Sequence, residues 1–98
     1  MAIRTFRDRA TEDICDGLAT KAARKCLPNQ LHEKARIKLA RLAAASDMND
    51  LSELRGNRFE MLKGDRVGQY SIRINDQYRI CFRWEGTDAY DVEIADYH

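Results

Sequence analysis

Residues 69–84 read QYSIRINDQYRICFRW and carry the strongest indication of the fold. Apolar and polar residues alternate on both sides of a central Asn-Asp-Gln, which is typical of two antiparallel strands joined by a tight turn. Residues that face each other across such a pair must project from the same face of the sheet. A two-residue loop would place arginines opposite apolar or aromatic residues. A three-residue loop at 75–77 instead places apolar residues opposite apolar or aromatic ones and arginine opposite arginine. The predicted register therefore pairs Ile74 with Tyr78, Arg73 with Arg79 and Ile72 with Ile80.

This register sets two arginines, Arg73 and Arg79, opposite each other on neighbouring strands, and Arg83 continues the same face. Directly opposed like charges are destabilising, so the pair requires an anion or nearby carboxylates. One interpretation is a solvated basic face balanced by Asp91 and Glu93 on the last strand. The favoured interpretation is a surface that binds phosphate groups.

Further strands are predicted at 58–63 and 90–95, so that with 69–74 and 78–84 they form a four-stranded antiparallel meander. The first half of the chain instead has helical periodicity. We expect a short opening strand at 2–6, a helix over 8–23 that is weakened near Gly17, and a second helix that begins at Pro28 and Asn29 and ends at Ala45. The fold class is therefore α+β, with N-terminal helices packed on one face of an antiparallel sheet.

The second helix has two apolar stripes. The larger one should lie on the sheet, and its members are Leu31, Ala35, Leu39 and Leu42. The smaller one lies on the back of the helix and consists of Ile37, Ala40 and Ala44. This back stripe is either packed under the first helix, which we favour, or available to a partner chain.

The 98 residues, 44% hydrophobic and 34% charged, fit one compact domain over 1–98. No run approaches the roughly 20 apolar residues of a membrane span, and the first residues lack an apolar signal segment. We therefore expect a cytoplasmic protein with no membrane partner. The cysteines, Cys15, Cys26 and Cys81, lack paired spacing for a metal or redox motif, and we expect free thiols.

The net charge of +1 argues weakly against a nucleic-acid binder, but the charges are unevenly distributed. Residues 54–84 carry seven Lys or Arg against three Asp or Glu, whereas residues 85–98 carry five acidic residues and no basic one. Composition alone favours ordinary surface solvation as the explanation. The arginine register is what points to a ligand.

The sequence ends on Asp96, Tyr97 and His98, a carboxylate, a phenol and an imidazole just beyond a predicted strand. Each group can accept or donate a proton, although on their own they would be interpreted as an ordinary tail. Next to the arginine pair and Lys63, these three groups fit a catalytic role. Cleavage of RNA needs a proton acceptor at the 2′-OH, a cation at the phosphorane and a donor to the leaving oxygen.

Neither a metal nor a cofactor is expected. His32 is predicted on the exposed side of a helix, far in sequence from His98, so no cluster of metal ligands is apparent. The sequence also lacks the GxxxxGK[ST] phosphate loop, and residues 63–66 are predicted to form a turn.

Three blocks of sequence carry a family resemblance: GNRFEMLKGDR at 56–66, GQYSIRINDQYRI at 68–80 and DVEIADYH at 91–98. Together they closely resemble the HigB toxins of the RelE/ParE superfamily. The strong match spans roughly 55–98, while the helical half agrees in layout more than in detail. The resemblance implies a compact α+β toxin that enters the ribosomal A site and cleaves the bound mRNA without a cofactor, leaving a 2′,3′-cyclic phosphate. It also implies a cognate antitoxin as partner.

The resemblance also assigns roles to individual residues. Asp96, Tyr97 and His98 match the terminal catalytic motif of the family, Arg79 its phosphate-stabilising arginine, and Lys63 its active-site lysine. The RNA-binding candidates beside them are Arg73, Arg83 and Arg66.

One position departs from the family, because some HigB proteins have a histidine where this chain has Glu60. A carboxylate there could accept a proton, or it could pair with an arginine and leave the chemistry to the C-terminal residues; we favour the ion pair. The identity of the base stays open.

Two other functions compete with ribonuclease activity. The first alternative is a ParE-like toxin that inhibits DNA gyrase by binding, without chemistry of its own, and the terminal Asp-Tyr-His argues against it. The second is a ribosome-binding or RNA-binding module without cleavage, for which Arg73, Arg79 and Arg83 would suffice.

Overall fold

The computed structural model describes residues 2–46, 50–51 and 59–96. Its antiparallel sheet has the strand order β1-β2-β3-β4. The strands are β1 (Glu60–Met61), β2 (Gln69–Arg73), β3 (Tyr78–Glu85) and β4 (Asp88–Asp96). The predicted meander is confirmed, although β1 is shorter than the predicted strand at 58–63, whose first residue lies outside the described residues.

The central hairpin has the predicted register, with Ile72 opposite Ile80 and Arg73 opposite Arg79. The loop at 75–77 is closed by Asn75, whose side-chain oxygen accepts hydrogen bonds from the backbone N–H groups of Gln77 and Tyr78 at 2.9 and 2.8 Å. An asparagine that bonds the backbone ahead of it stabilises a tight turn. The local sequence thus defines the pairing of the two arginines.

The first predicted helix, over 8–23, is two helices: α1 (Arg9–Cys15) and α2 (Lys21–Cys26). The break falls at Gly17, whose φ of +76° is a left-handed conformation that glycine adopts without a Cβ clash. Helix α2 then starts at a new N-cap, Thr20, whose hydroxyl accepts a hydrogen bond from the backbone N–H of Ala23 at 3.1 Å. The predicted weakening is confirmed, but helical structure continues beyond the predicted end.

The second predicted helix begins as a 3-10 turn at Asn29–Leu31 and continues as α3 (His32–Ala44). The predicted start at Pro28 and Asn29 is confirmed, although Asn29 does not cap the helix: Pro28 occupies the cap position of the turn, and no side chain caps it. The opening segment also differs from a regular strand. Ile3 and Phe6 form isolated parallel bridges to Ala89 and Val92 on the outer edge of β4.

The helices cover one face of the sheet. There, Ile72, Ile80 and Phe82 from the central hairpin pack with Leu39 and Leu42 of α3, and all five are fully buried. A polar contact lies within this layer: the buried hydroxyl of Thr11 on α1 accepts from the backbone N–H of Ile94 at 3.0 Å. We call the opposite side of the sheet the open face.

The back stripe of α3 is not packed under the first helix, so the favoured expectation is wrong. Ile37 is 41% exposed, and Ala40 and Ala44 are also exposed. The buried residues of α3 lie on the other side of the helix and include Ala35, Leu39 and Leu42. In the described part of the chain, no helix has the length and apolar character that a membrane crossing requires.

Candidate active site

The open face carries two rows of side chains that run across the strands. One row consists of Arg73, Arg79 and Ala95, which are successive cross-strand partners. The next row consists of Glu60, Ser71, Cys81 and Glu93. Because cross-strand partners project from the same face, the rows place basic and acidic groups side by side on the open face.

Arg79 is the most enclosed cation of the face, with 8% of its surface exposed. Its Nε donates to the hydroxyl of Ser71 at 2.7 Å, and its Nη2 donates to the Ser71 carbonyl at 3.4 Å. Ser71 is itself fully buried, so its side chain holds the guanidinium in one orientation. The direct cross-strand partner of Ser71 is Glu60 on β1, so Arg79 leans towards the strand that carries this carboxylate.

Arg73 has a different environment from its partner. Its guanidinium bonds the carboxylate of Asp76 in the hairpin loop, and Asp76 is exposed. Arg73 is therefore balanced by an acid of its own turn, which reduces the repulsion between the opposed arginines. Lys38 on α3 is another buried cation; burial lowers its pKa, and the charges of Arg41, Lys34 and Arg73 lower it further.

Arg83 is already paired with carboxylates. Its Nε donates to Asp91 at 2.8 Å, and its Nη1 lies 3.1 Å from Glu85. The hydrogen bond to Asp91 raises the pKa of Arg83 above its ordinary value. Here the interpretation of a basic face balanced by strand carboxylates fits the structure, and so it does for Arg66, whose Nη1 lies 2.5 Å from Glu93.

A β-bulge on β4 shapes this end of the face. Cys81 pairs with Glu93 but Arg83 pairs with Tyr90, so β4 has one residue more than β3 in between. Asp91 lies in the bulge with a φ of +53°, a conformation that aspartate tolerates better than most residues. The extra residue reverses the alternation of side chains between the two faces, so Tyr90 lies on the open face under the Arg83 guanidinium. The guanidinium carbon is 5.7 Å from the centroid of the Tyr90 ring.

The remaining predicted site residues of β1 and the following turn are exposed. Glu60 and Lys63 are both exposed, Lys63 directly before the 3-10 turn Gly64–Arg66. The expected ion pair of Glu60 is not formed within the described residues. Its carboxylate therefore faces solvent at the edge of the row that contains Ser71.

At the other end of the sheet, β4 ends at Asp96, which is the cross-strand partner of Tyr78. The Asp96 carboxylate accepts a hydrogen bond from the side-chain amide of Gln77 at 3.1 Å and is exposed. It therefore lies one pair beyond Arg79 along the strands. Tyr97 and His98 lie outside the described residues.

The structure thus brings Arg79 and Arg73 to one end of the open face and Arg83 and Arg66 to the other. Asp96 belongs to the pair next to Arg79, so by strand alternation it projects from the opposite side of the sheet. Two residues with a part in this arrangement were missed from the sequence. Ser71 orients Arg79, and its position directly opposite Cys81 in the predicted register could have identified it. Tyr90 was not identifiable, because only the bulge turns it to the open face.

His32 is not on the surface as predicted. It is half-buried at the start of α3, and its Nε2 lies 2.7 Å from the Leu27 carbonyl, to which it donates as the Nε2–H tautomer. No group of three or more His, Cys, Asp or Glu side chains within the described residues is placed to hold a metal ion. None of the three cysteines, all of which lie within the described residues, forms a disulfide, and burial raises the pKa of Cys26 to about 11.

A family model described as the RelE-like toxin of the type II toxin-antitoxin system HigB matches residues 6–98. Toxin HigB-1 of Vibrio cholerae is 42% identical over 60 residues, which cover 61% of this chain and 63% of that protein. Endoribonuclease HigB of Proteus vulgaris is 37% identical over 60 residues, covering 59% and 65% respectively. The match thus spans less than two thirds of the length of each of these relatives.

Solved structures show the same architecture. A chain of the YoeB-YefM complex from Staphylococcus aureus superposes with a TM-score of 0.60 at 18% identity, covering 100% of this chain and 99% of that chain. A YoeB/ParE toxin from Agrobacterium tumefaciens superposes with a TM-score of 0.50 at 16% identity, covering 98% and 99%. The likeness establishes the fold and confirms the predicted α+β class.

Proposed function

The chain belongs to the HigB-like family, the RelE-like toxins of type II toxin-antitoxin systems, and we propose that it inhibits translation by cleaving mRNA in the ribosomal A site. The observation that carries the proposal is the enclosed guanidinium of Arg79 on the open face, held by Ser71. The endoribonuclease name of the Proteus vulgaris relative supports the reaction type.

The proposed reaction is an internal transesterification. The 2′-oxygen of one nucleotide attacks the adjacent phosphorus while the bond to the 5′-oxygen of the next nucleotide breaks. A base takes the proton of the 2′-OH, and an acid protonates the departing 5′-oxygen, so that the products are a 2′,3′-cyclic phosphate and a 5′-hydroxyl. The chain's own side chains supply these groups, so under this proposal the reaction requires no metal or cofactor.

In this scheme Arg79 stabilises the charge that develops on the phosphorane. A guanidinium that is already oriented needs no rearrangement in the transition state, which is the condition under which such a group accelerates a reaction most. Ser71 is a positioning residue, because it acts on the reaction only through Arg79. Lys63 adds positive charge from the edge of the sheet.

The proton transfers are assigned to Asp96, Tyr97 and His98, with Glu60 as a second candidate for the base. The match of the terminal Asp-Tyr-His to the catalytic motif of the HigB toxins supports this assignment. The exposed Glu60 carboxylate, which makes no ion pair within the described residues, is also available to accept a proton. Arg73 and Arg66 are proposed to contact the flanking RNA backbone.

The proposed partners are the ribosome, mRNA and a cognate antitoxin, which place the protein in the cytoplasm. We assign the antitoxin to the exposed back of α3. Ile37, Ala40 and Ala44 form an apolar strip there, flanked by the exposed bases Lys34 and Arg41. The first turn of the same helix also borders a cleft of about 210 Å³, which is lined by Ile14, Gly17, Leu18, Ala19, His32, Glu33 and Arg36.

Such a surface fits an amphipathic segment with apolar side chains and acidic flanks. An antitoxin bound there would leave Arg79 uncovered. It would inhibit by steric exclusion, because the toxin must enter a confined space on the ribosome. The competing arrangement has an acidic antitoxin segment across the arginines of the open face. Inhibition of DNA gyrase is not favoured, since the family model and the named curated relatives are HigB toxins.

The test is primer extension on translated mRNA after brief expression of the protein, combined with analysis of the new RNA ends. We expect fresh cuts within codons of translated messages and 2′,3′-cyclic phosphate ends. Intact mRNA together with covalent gyrase-DNA adducts would instead support the gyrase inhibitor. Ribosome binding without any new RNA ends would reduce the function to that of a binding module.

A further inference from the structure

We propose that Arg83 and Tyr90 form a stacking platform for a nucleobase of the bound RNA, at a position that flanks the scissile phosphate. The inference rests on the proposed function and adds to it a residue pair that selects for a base. It reassigns Arg83 from contacts with the RNA backbone to contact with a base.

The first argument is that the edges of the Arg83 guanidinium are occupied. Its Nε donates to Asp91 at 2.8 Å, and its Nη1 lies 3.1 Å from Glu85. A guanidinium binds phosphate through these N–H edges, commonly two at a time. With two carboxylates already on its edges, Arg83 is poorly suited to a phosphate and its charge is largely balanced.

The second argument is that the flat face of the same group is still usable. One side of the guanidinium lies over the Tyr90 ring at 5.7 Å from the centroid, and the side chain of Arg83 is 39% exposed. Single-stranded RNA is commonly recognised by stacking its bases on aromatic rings or guanidinium planes. The carboxylates and the ring hold the plane in place, so little freedom is lost when a base stacks on it.

The third argument is location. Arg83 lies four residues from Arg79 on β3, on the same face of the sheet. At about 3.3 Å per residue the two side chains are separated by roughly 13 Å along the strand. An RNA strand whose scissile phosphate lies at Arg79 and which follows β3 would therefore present a neighbouring nucleotide, rather than the reacting one, to the platform.

The bulge explains why this platform exists. Regular pairing would turn Tyr90 to the helix-covered face, and the extra residue at Asp91 brings it under Arg83 instead. The same residue supplies the carboxylate that occupies the Nε edge. A strained backbone and a charged partner thus act on one group, as is common at binding sites.

The test measures binding of short 2′-O-methyl RNA oligonucleotides, which lack the attacking 2′-OH, by fluorescence anisotropy. Each oligonucleotide carries one abasic nucleotide, and its position is moved along the strand. For the wild-type protein we expect about 10-fold weaker binding when one particular base is removed. Arg83→Lys, which keeps the charge but lacks the plane, should lose this difference and bind every oligonucleotide like the abasic one.

Tyr90→Leu gives a second variant, and Arg24→Lys on α2 makes the same chemical change away from the open face as the control. The platform would be overturned if the wild-type protein bound all of the abasic oligonucleotides equally well. It would also be overturned if the Arg83→Lys variant still distinguished the base. Cleavage of ribosome-bound mRNA is measured in parallel. If mRNA is cleaved but the removal of no single base affects binding, only the platform is refuted. If the removal of one base weakens binding but mRNA is not cleaved, only the nuclease function is refuted.

Discussion

The two faces of the sheet show how one set of strands serves both folding and chemistry. The covered face packs Ile72, Ile80 and Phe82 against helices, and its energetics are those of apolar burial. The open face buries polar groups instead, among them Ser71 and Arg79, and each is hydrogen-bonded. We therefore expect substitutions on the covered face to change stability, and substitutions of exposed side chains on the open face to change activity at nearly constant stability.

The largest expected effect separates chemistry from folding at the end of β4. Asp96→Ala and His98→Ala should each lower the cleavage rate by about 100-fold or more, because a proton donor or acceptor is lost. Both residues follow the buried part of the strand, so the thermal unfolding midpoint should hardly change. Single-turnover cleavage of ribosome-bound mRNA is the measurement, and undiminished rates in both variants would remove these residues from the catalytic assignment.

Next in size is the difference between the two opposed arginines. Arg79→Ala should lower the single-turnover rate by about 100-fold, since it removes a preorganised cation from the phosphorane. Arg73→Ala should have a smaller effect, because this side chain is held by Asp76 and is proposed to contact only flanking RNA. Equal losses at saturating ribosome would show a binding pair rather than one catalytic and one accessory residue.

A smaller effect is expected on the back of α3, which belongs to neither face of the sheet. Ala40→Glu should weaken the complex with the antitoxin by about 10-fold or more, because it places a charge within the apolar strip opposite an acidic partner. Arg79→Ala should leave the affinity nearly unchanged. A binding titration decides the question, and the reverse pattern would place the antitoxin on the open face.

The smallest expected effect lies in the covered layer, where Thr11 accepts from the backbone N–H of Ile94. Thr11→Val should reduce the free energy of unfolding by about 1–3 kcal/mol, because a buried N–H loses its partner. Thr11→Ser keeps the hydroxyl and serves as the control. Denaturant unfolding gives the stability, and a loss of cleavage by the folded Thr11→Val protein would show that the two faces are not separable.

Sequence patterns predicted the hairpin, the α+β class and the facing arginines correctly, because each depends on local periodicity and on the turn at Asn75. They failed where the ends and the packing of short helices set the environment of a residue. His32 was expected on the surface, but the Leu27 carbonyl holds it at the start of α3. The back stripe of α3 was expected under the first helix, but the break at Gly17 and the new cap at Thr20 change how these short helices pack.

Strand alternation and loop length are local properties, so the residue pattern was sufficient to predict which two arginines oppose each other and to propose the residues for the chemistry. The surroundings of Arg79 and Arg83 are set only in the folded sheet. Ser71 orients Arg79, Asp76 balances Arg73, and two carboxylates with Tyr90 enclose Arg83. The contacts of Arg79 with Ser71 and of Arg83 with Asp91 and Tyr90 depend on cross-strand neighbours and on a bulge that reverses the alternation, neither of which is encoded in the spacing of any one segment. The contact of Arg73 with Asp76 is instead local to the hairpin turn.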